Sequence, residues 1–572
     1  MKNDIIDKAI LWTKEPFDSE TRKTTQDLID NKPEVLEDSF YKNLEFGTGG
    51  MRGIMGVGTN RINKYTLGKN TQGLANYINR VSKKKEKSVA INYDVRHNSK
   101  TFAKLVANVF SANGIKVYLF NDFRPTPELS FAVRHLKTDA GIVLTASHNP
   151  PEYNGYKVYW NDGAQIVPPQ DQEIIKEINA VKFDKIKFTP NENLIEYVET
   201  GLDDAFLDAA VKNGTFNATN RADIRVLFTS LHGTSIRLIP EAMKRAGFSD
   251  FHIVKEQANP DPEFSTVASP NPEEPEAFTI ALKIADQINA DIILATDPDS
   301  DRIAVAAREP NGKMRLLNGN QTMAIMDAFL IKKWKEQKRI KGNEFIGSTI
   351  VSSEMIKSIG KASNIEVKVG LTGFKWIAKM IREAEGKQEF IGGGEESFGF
   401  MVGDFVRDKD AVTAGLLAAE IAADAKADNS SLFEELLKLY QKFGFYKEGL
   451  VSLVKKGIEG QEIINQMMID YRKKPPKFFD KSPVIRIEDY DKSEAKNLED
   501  NSLEKIKVEK SNVLIFYTKD GSKVAIRPSG TEPKIKFYFG VKQELDDISR
   551  YQEVEKQLDE KIKRIKKDLN LA

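Results

Sequence analysis

The chain contains no cysteine, and this absence excludes several kinds of site. Without thiols there is no disulfide framework, no thiolate metal ligand and no cysteine nucleophile. A cysteine-free composition fits a reducing compartment. The first residues, Met1-Lys-Asn-Asp-Ile5, also lack the apolar segment of a secretory leader. We therefore expect a cytoplasmic protein.

An excess of either charge and long apolar runs are missing as well. Lys and Arg number 85 and Asp and Glu 84, a net charge of +1, so no overall field attracts nucleic acid or a membrane. No run reaches the roughly 18 apolar residues of a membrane span, and Glu420 and Asp424 interrupt the continuation of the most lipid-like stretch, residues 411–419. We therefore expect small-molecule partners, with any anionic ligand held by local basic clusters.

Predicted strands and helices alternate in three successive rounds, which is typical of α/β sheets. The predicted strands cover residues 88–94, 115–120, 140–146, 224–231, 251–256, 291–296, 345–352, 365–371 and 389–391. The last section differs, because Asp520-Gly521 between β-prone segments predicts a hairpin. The expected antiparallel strands there are 513–518, 523–526 and 534–541, followed by a helix from about residue 549. Three similar α/β units and a C-terminal α+β unit follow, with boundaries at 1–200, 201–317, 318–445 and 446–572.

A serine follows the strand predicted at 140–146. In Thr145-Ala-Ser-His-Asn-Pro150, Ser147 stands where a buried strand gives way to a loop, and ligands of open α/β sheets bind beyond the carboxyl ends of the strands. An ordinary turn is the alternative, since Ser, Asn and Pro are common turn residues. His148 and Lys157 are candidate acid or base groups if the pKa of the lysine is lowered, but solvated side chains would give the same sequence.

An acidic loop follows the strand predicted at 291–296. Asp297-Pro-Asp-Ser-Asp-Arg302 places three carboxylates at alternate positions. Hard divalent cations prefer oxygen ligands, and Mg²⁺ uses few carboxylates together with a phosphate or waters. An EF-hand is excluded because its sixth position would be Arg302 instead of Gly and its twelfth Arg308 instead of Glu. The loop therefore predicts a metal site.

Three further loops suit anion or sugar binding. The glycine-dense Phe46-Gly-Thr-Gly-Gly-Met-Arg-Gly53 lets backbone amides approach an anion. Gly392-Gly-Gly-Glu-Glu-Ser-Phe-Gly399 offers carboxylates and a hydroxyl for sugar hydroxyls. Arg527-Pro-Ser-Gly-Thr-Glu-Pro-Lys534 combines a guanidinium fork with hydroxyls, as in a phosphate clamp. Flexible or solvated turns are the alternative for each. The chain has no Ser-His-Asp hydrolase signature, no Walker-type loop and no dinucleotide fingerprint.

Taken together and in this order, these motifs resemble the α-D-phosphohexomutase family. The matching segments, which extend over nearly the whole chain, are Gly47–Arg52, Thr145–Pro150, Asp297–Arg302, Gly394–Gly399 and Arg527–Pro533. The length and the start of the glycine loop are similar to the longer phosphoglucomutase branch, which includes phosphopentomutase-like members. The resemblance implies an α/β fold of four domains, three with similar mixed sheets and a C-terminal α+β domain, around one central cleft.

The resemblance also implies a role for each motif. Ser147 would carry a phosphoryl group, and Asp297, Asp299 and Asp301 would bind Mg²⁺ together with an oxygen of that group. The other implied catalytic residues are Arg52, Arg302, His148 and Lys157. The implied substrate-binding residues are Lys375, Glu395, Ser397, Arg527, Ser529, Gly530 and Thr531. Pro298 and Ser300 depart from the glycines of many relatives, which puts the rigidity of the metal loop in question.

The implied activity is the interconversion of glucose 1-phosphate and glucose 6-phosphate through a phosphoserine, with glucose 1,6-bisphosphate as the activating intermediate. Mannose or pentose phosphates are the alternative substrates of the same chemistry. A sugar-phosphate-binding regulator with a decayed site and a metal-dependent phosphatase are the alternatives from other classes. The sequence does not distinguish a monomer from a dimer, nor the general acid from the general base.

Overall fold

The computed structural model describes residues 3–47, 49–455, 457–529 and 534–571. They form two compact units. The first contains residues 1–318 and 374–431, and the second contains residues 319–373 and 432–572. In these described ranges, no helix has both the length and the apolar composition that crossing a bilayer requires.

The first unit begins with three helices, Asn3–Leu11, Ser19–Asn31 and Pro33–Phe40. The predicted break at Pro33 is the first turn of the third helix, where the missing N–H of proline costs nothing. Trp12, Phe17 and Phe40 pack with Tyr65 of the following domain in a buried aromatic cluster. This segment is therefore anchored to the sheet that follows it.

A six-stranded sheet comes next, and it is mixed. Four neighbouring strands are parallel, Tyr153–Trp160 runs antiparallel to them, and the edge strand Gly50–Ile54 pairs antiparallel with Tyr153–Trp160. The spatial order is Gly50–Ile54, Tyr153–Trp160, Ala140–Leu144, Ser88–Tyr93, Lys116–Phe120 and Ile195–Val198. The accompanying helices are Lys64–Val81, Ser99–Ala112, Thr126–His135 and Gln170–Ala180. Register pairs Gly50 with Lys157, which brings the glycine loop and the lysine to one region of the sheet.

A second mixed sheet follows in the same unit. Its strands are, in spatial order, Met314–Leu316, Ile303–Arg308, Ile292–Thr296, Val226–Thr229 and Phe251–Ile253. The hairpin formed by Ile292–Thr296 and Ile303–Arg308 is antiparallel, and the acidic loop is its connection. The helices are Thr200–Gly214, Ile239–Arg245, Thr279–Ile288 and Ala411–Ala427. The last of these contains the lipid-like stretch, which is buried against the first two helices.

The rest of the first unit is the helix Phe374–Ala384 and an antiparallel pair of strands, Glu389–Glu395 and Gly399–Val402. In the second unit, the strands Glu344–Thr349 and Glu366–Gly370 are parallel and accompany the helices Gly319–Glu336 and Met355–Ser363.

The C-terminal part of the second unit is an antiparallel sheet with helices. The order is Phe445–Val454, Lys534–Gln543, Lys523–Pro528, Leu514–Thr518, Ser482–Asp489, Glu494–Asn497 and Leu503–Lys505, with Phe478–Phe479 paired to Ser482–Asp489. Its helices are Leu432–Phe443, Gly457–Lys473 and Tyr551–Asp568. The predicted Asp520-Gly521 turn joins two of these strands, and Gly521 has the positive φ of 82° that favours glycine.

Candidate active site

The buried strand Ala140–Leu144 leads into the serine loop. Ser147 is 2% exposed and has a φ of 53°, in the left-handed region that is strained for a residue other than glycine. Its backbone N–H donates to Thr145 Oγ1 at 2.8 Å, and its Oγ donates to Asp297 Oδ2 at 2.7 Å. The structure therefore brings the predicted serine directly to the predicted metal loop.

The three carboxylates of that loop are buried and converge. Each of Asp297, Asp299 and Asp301 offers an oxygen within 4.8 Å of the others. Oδ1 of Asp299 and Oδ1 of Asp301 are buried without a hydrogen-bond partner among the described residues. Unsatisfied buried carboxylate oxygens at this spacing fit a hard divalent cation such as Mg²⁺, which takes oxygen ligands.

The acidic loop Asp297–Arg302 is held by several hydrogen bonds although it contains Pro298 and Ser300. The backbone N–H groups of Asp301 and Arg302 both donate to Asp297 Oδ1 at 3.1 Å. Ser300 has a φ of 61°, where glycine is favoured, and its Oγ lies 2.8 Å from Thr234 Oγ1. Thr234 also donates through N and Oγ1 to Pro298 O, at 2.8 and 3.0 Å. The Ser300 hydroxyl therefore makes a hydrogen bond that holds the loop and that a glycine at this position could not make.

Two lysines lie against the carboxylates. Lys157 Nζ donates to Asp299 Oδ2 at 2.6 Å and to Asp301 Oδ2 at 2.8 Å, and Lys409 Nζ lies 3.3 Å from Asp301 Oδ2. Burial alone would lower the pKa of each ammonium, but the carboxylates beside them raise both pKa values above the usual range. The same lysines hold the pKa of Asp301 well below its usual value despite its burial. Lys157, Lys409 and Asp301 are therefore all charged.

Arg302 forms an ion pair with Glu273. Burial would lower the pKa of the Arg302 guanidinium, but the Glu273 carboxylate raises it above the usual range. Arg52 is exposed on the edge strand Gly50–Ile54, and its Nη1 donates to Asn149 Oδ1 of the serine loop at 2.9 Å. His148 Nδ1 lies 3.2 Å from the serine oxygen. Burial and the charges of Arg302 and Arg52 hold the pKa of His148 well below its usual value, so its imidazole is neutral at pH 7.

The predicted sugar-binding residues of the first unit occupy the end of one hairpin and the start of one helix. Glu395 is the last residue of Glu389–Glu395 and is 4% exposed; burial raises its pKa to about 7. Ser397 is half-buried in the turn that follows, and Lys375 is half-buried in the first turn of Phe374–Ala384.

The predicted phosphate clamp belongs to the second unit. Arg527 is half-buried in the strand Lys523–Pro528, and the backbone N–H of Ser529 donates to Lys534 O at 2.7 Å. Gly530 and Thr531 lie outside the described residues.

Sequence reasoning missed four residues that contact the site. They are Arg96, Thr126, Glu273 and Lys409. A usable signal existed only for Lys409, because the charged run Arg407-Asp-Lys-Asp410 sits between two largely apolar segments. Asp408, in that run, accepts hydrogen bonds from Tyr159 Oη at 2.6 Å and Gln165 Nε2 at 2.9 Å.

Comparison with protein families gives four successive matches. The models for the phosphoglucomutase/phosphomannomutase α/β/α domains I, II and III match residues 43–185, 204–312 and 318–440. The model for the C-terminal domain of these proteins matches residues 484–561. Three α/β/α domains and a C-terminal domain confirm the predicted fold class. The helices before residue 43 lie outside these matches.

Similar proteins match over most of the chain. A phosphoglucomutase of Staphylococcus aureus MRSA252 is 38% identical over 545 residues, 94% of this chain and 97% of its own length. That of strain USA300 is 39% identical over 518 residues, 90% and 92% of the two lengths. Among solved structures, parafusin (a phosphoglucomutase) of Paramecium in an open form has a TM-score of 0.66 at 17% identity, covering 92% of this chain and 96% of its own. A phosphoglucomutase/phosphomannomutase family protein of Burkholderia thailandensis has a TM-score of 0.65 at 17% identity, covering 91% and 97%. These structures share the fold.

Proposed function

We propose, because this chain belongs to the phosphoglucomutase/phosphomannomutase family, that it interconverts glucose 1-phosphate and glucose 6-phosphate through a phosphoserine at Ser147. Because it is 38–39% identical to phosphoglucomutases over most of its length, the chain is a phosphohexomutase of the phosphoglucomutase type, which is an isomerase. The observation that carries the residue assignment is the 2.7 Å contact between Ser147 Oγ and Asp297 in a cluster of three buried carboxylates. A surface turn would not bury a strained serine against such a cluster.

Mg²⁺ fits this cluster, and Asp297, Asp299 and Asp301 would hold it together with a phosphoryl oxygen on Ser147. A bound Mg²⁺ neutralises charge on the phosphoryl group and so lowers the barrier to its transfer. The unpartnered oxygens on Asp299 and Asp301 support this assignment.

The protein's own groups supply the rest of the charge and the proton movement. In the forward step the bond between phosphorus and the Ser147 oxygen breaks, and a new bond forms from phosphorus to a free sugar hydroxyl, giving glucose 1,6-bisphosphate. Neutral His148, whose Nδ1 lies 3.2 Å from the serine oxygen, is suited to accept the proton of that hydroxyl and to pass it to the serine oxygen as the bond to phosphorus breaks. Lys157 keeps its charge because Asp299 and Asp301 raise its pKa, so it would neutralise negative charge at the site and would not move a proton. Arg52 and Arg302 would stabilise the equatorial oxygens of the transferring group. The bisphosphate then turns around and returns its other phosphate to the serine.

Substrate binding is assigned to the remaining predicted residues. Glu395 would accept hydrogen bonds from sugar hydroxyls, Ser397 would bond them through its own hydroxyl, and Lys375 would help to bind the substrate. Arg527 and Ser529, with Gly530 and Thr531, would hold the phosphate that is not reacting, since a guanidinium fork and hydroxyls recognise phosphate oxygens.

The test combines mass spectrometry with a substrate panel. Intact mass and peptide mapping of the protein after incubation with glucose 1,6-bisphosphate should find one phosphoryl group, on the peptide containing Ser147. Isomerisation of glucose 1-phosphate should exceed that of mannose or pentose phosphates. Ser147→Ala should lose nearly all turnover while Ser511→Ala, in a loop of the second unit, keeps it.

Each alternative has its own result in this panel. Faster isomerisation of mannose or pentose phosphates would change the substrate. Release of phosphate without isomer formation would indicate a phosphatase, and binding without turnover would indicate a regulator. Wild-type rates in Ser147→Ala would remove the phosphoserine assignment.

The proposal also includes the four domain boundaries, 1–200, 201–317, 318–445 and 446–572, each domain contributing one of the loops. A cytoplasmic location and sugar phosphates as the partners, without nucleic acid, complete it. Limited proteolysis at the three boundaries would check the division.

A further inference from the structure

One arginine side chain supports most of the serine loop. Arg96 follows the strand Ser88–Tyr93, and its side chain is fully buried. Nη2 donates to Ser147 O at 2.7 Å and also to Asn149 O. Nη1 donates to Pro150 O at 2.7 Å and to Tyr153 O at 3.2 Å. One guanidinium thus bonds three carbonyl oxygens of the loop and one of the strand that follows it.

The guanidinium is itself held from two other sides. Nε of Arg96 lies 3.3 Å from Oδ2 of Asp94, and both side chains are inaccessible to solvent. Asp94 is fixed in turn by Ser99 Oγ, which donates to its Oδ1 at 2.7 Å. The ring of Phe264, itself buried, lies 5.0 Å from the guanidinium carbon. These partners hold the guanidinium of Arg96 in one orientation, and its hydrogen bonds in turn hold the backbone of the serine loop in one conformation.

The serine loop needs such support for two physical reasons. The left-handed conformation of Ser147 is unfavourable for a residue with a Cβ, so it persists only where the surroundings impose it. Carbonyl oxygens that converge also repel one another unless a cation lies among them. A planar guanidinium with several donors in a fixed fork meets both needs, whereas an ammonium on a flexible stem does not.

We propose that Arg96 is a positioning residue for phosphoryl transfer: it holds Ser147 in the left-handed conformation that aims Oγ at Asp297. This inference rests on the proposed function, since it assigns Arg96 a part in that reaction. Three of the four hydrogen bonds found for its side chain in the described ranges end on residues 147–150 of the serine loop, and the fourth ends on Tyr153, the first residue of the following strand. These hydrogen bonds therefore act on the segment that carries Ser147.

Arg221 provides a matched control. It lies in the same unit, and its guanidinium donates to both carboxylate oxygens of the buried Glu420, at 2.7 and 2.9 Å, and to Ala246 O at 3.2 Å. None of these partners is a predicted site residue. Arg221→Met therefore removes a comparable set of buried bonds and should lower the melting temperature without slowing turnover.

The experiment compares Arg96→Met, Arg96→Lys and Arg221→Met with the wild-type chain. It measures the melting temperature, kcat and KM for glucose 1-phosphate, and the rate at which glucose 1,6-bisphosphate phosphorylates Ser147. We expect kcat of Arg96→Met, and its rate of phosphorylation, to fall on the order of 100-fold, with KM changed by less than about threefold. Arg96→Lys should lie between, because an ammonium keeps the charge but not the fork.

Equal kcat values for Arg96→Met and Arg221→Met, at temperatures where both are folded, would overturn the assignment. If Arg96→Met does not fold, the kinetics of Arg96→Lys test the proposal instead. A wild-type kcat in Arg96→Lys overturns the proposal, and a loss of about tenfold or more in kcat with KM retained supports it. If neither the wild-type chain nor Arg221→Met isomerised glucose 1-phosphate or became phosphorylated, the proposed function itself would be refuted. The two failures are therefore distinguishable.

Discussion

Thr126 offers a test of the proposed Mg²⁺ site, because its hydroxyl bonds Asp299, one of the three proposed ligands. The side chain is fully buried at the start of the helix Thr126–His135. Its Oγ1 donates to Asp299 Oδ2 at 2.9 Å, and its backbone N–H donates to Asp299 O at 2.8 Å. Thr126→Val removes only the first of these bonds and nearly preserves the shape of the side chain.

The expected magnitude follows from what Asp299 retains. Its Oδ2 still accepts the bond from Lys157 at 2.6 Å, so the carboxylate stays ionised but loses its second donor. A hydrogen bond to a charged group contributes about 1.5–3 kcal/mol, and loss of a partner that orients a metal ligand typically costs about 10–100-fold in metal affinity. We therefore expect the apparent Mg²⁺ affinity of Thr126→Val to fall by about 10–100-fold. At saturating Mg²⁺ most of the kcat should return.

The assay is a Mg²⁺ titration of isomerisation, with the melting temperature measured in parallel. Thr126→Ser keeps the hydroxyl and should retain most of the affinity. Thr71→Val is the control for a buried threonine, since its Oγ1 donates to Leu67 O at 2.8 Å within the helix Lys64–Val81. Thr126→Val with the Mg²⁺ dependence of Thr71→Val would show that Thr126 does not orient the ligand.

Three other substitutions probe different parts of the chain. A Cβ at Gly233 would lie 2.5 Å from Pro298 Cα, so Gly233→Ala should displace the metal loop and lower both the melting temperature and the Mg²⁺ affinity; Gly201→Ala, where nothing lies within 4 Å, should do neither. Ser529→Ala should raise KM for glucose 1-phosphate several-fold with kcat little changed; a lower kcat at constant KM would contradict a binding role. Glu354 accepts a hydrogen bond from Lys523 at 2.7 Å. Burial would raise the pKa of Glu354, but Lys523 and Lys357 lower it to about 2. The ionised Glu354 therefore contributes about 3 kcal/mol to the free energy of unfolding above pH 4.5, and this contribution is lost as pH falls towards 2. Urea denaturation measures the difference in unfolding free energy between wild type and Glu354→Gln. That difference should shrink between pH 4.5 and 2 and stay constant above pH 4.5.

The fold was largely predictable because its patterns are local. The strand predicted at 140–146 is Ala140–Leu144, and the helix predicted at 65–81 is Lys64–Val81. Alternation of strands and helices predicted parallel pairing, which holds for four strands of the first sheet. The antiparallel direction of Tyr153–Trp160 was not predicted although its partner Ala140–Leu144 is the preceding strand, because residues 145–152 between them contain none of the short turn signatures that mark a hairpin.

The site was predictable to the extent that its chemistry is concentrated in short motifs. The contact of Ser147 with Asp297 joins two such motifs, and both were identified from residue type and spacing. Arg96 and Thr126 were missed because each acts through a tertiary contact with a loop 20 or more residues away. In sequence, an arginine after a strand looks the same whether its side chain faces solvent or is buried against the serine loop.

The hydrogen bond between Ser147 and Asp297 has a consequence for metal binding. In the unphosphorylated protein the serine hydroxyl is a donor, and Asp297 Oδ2 accepts from it at 2.7 Å. Phosphorylation removes that donor and places anionic oxygens beside the carboxylate, which a nearby cation must neutralise. Lys157 and Lys409 are already engaged by Asp299, Asp301 and Asp408.

Mg²⁺ should therefore bind the phosphorylated protein more tightly than the unphosphorylated one. Because linkage is reciprocal, Mg²⁺ must favour the phosphoserine by the same factor, and a coupling of about 1–3 kcal/mol corresponds to about 5–150-fold in affinity. Calorimetric titration of Mg²⁺ into the two forms, separated by ion exchange, measures this factor. Ser147→Ala should bind like the unphosphorylated form or somewhat better, because Asp297 then has no competing donor. Equal affinities for the two forms would mean that the phosphoryl group does not share the cation with the three aspartates.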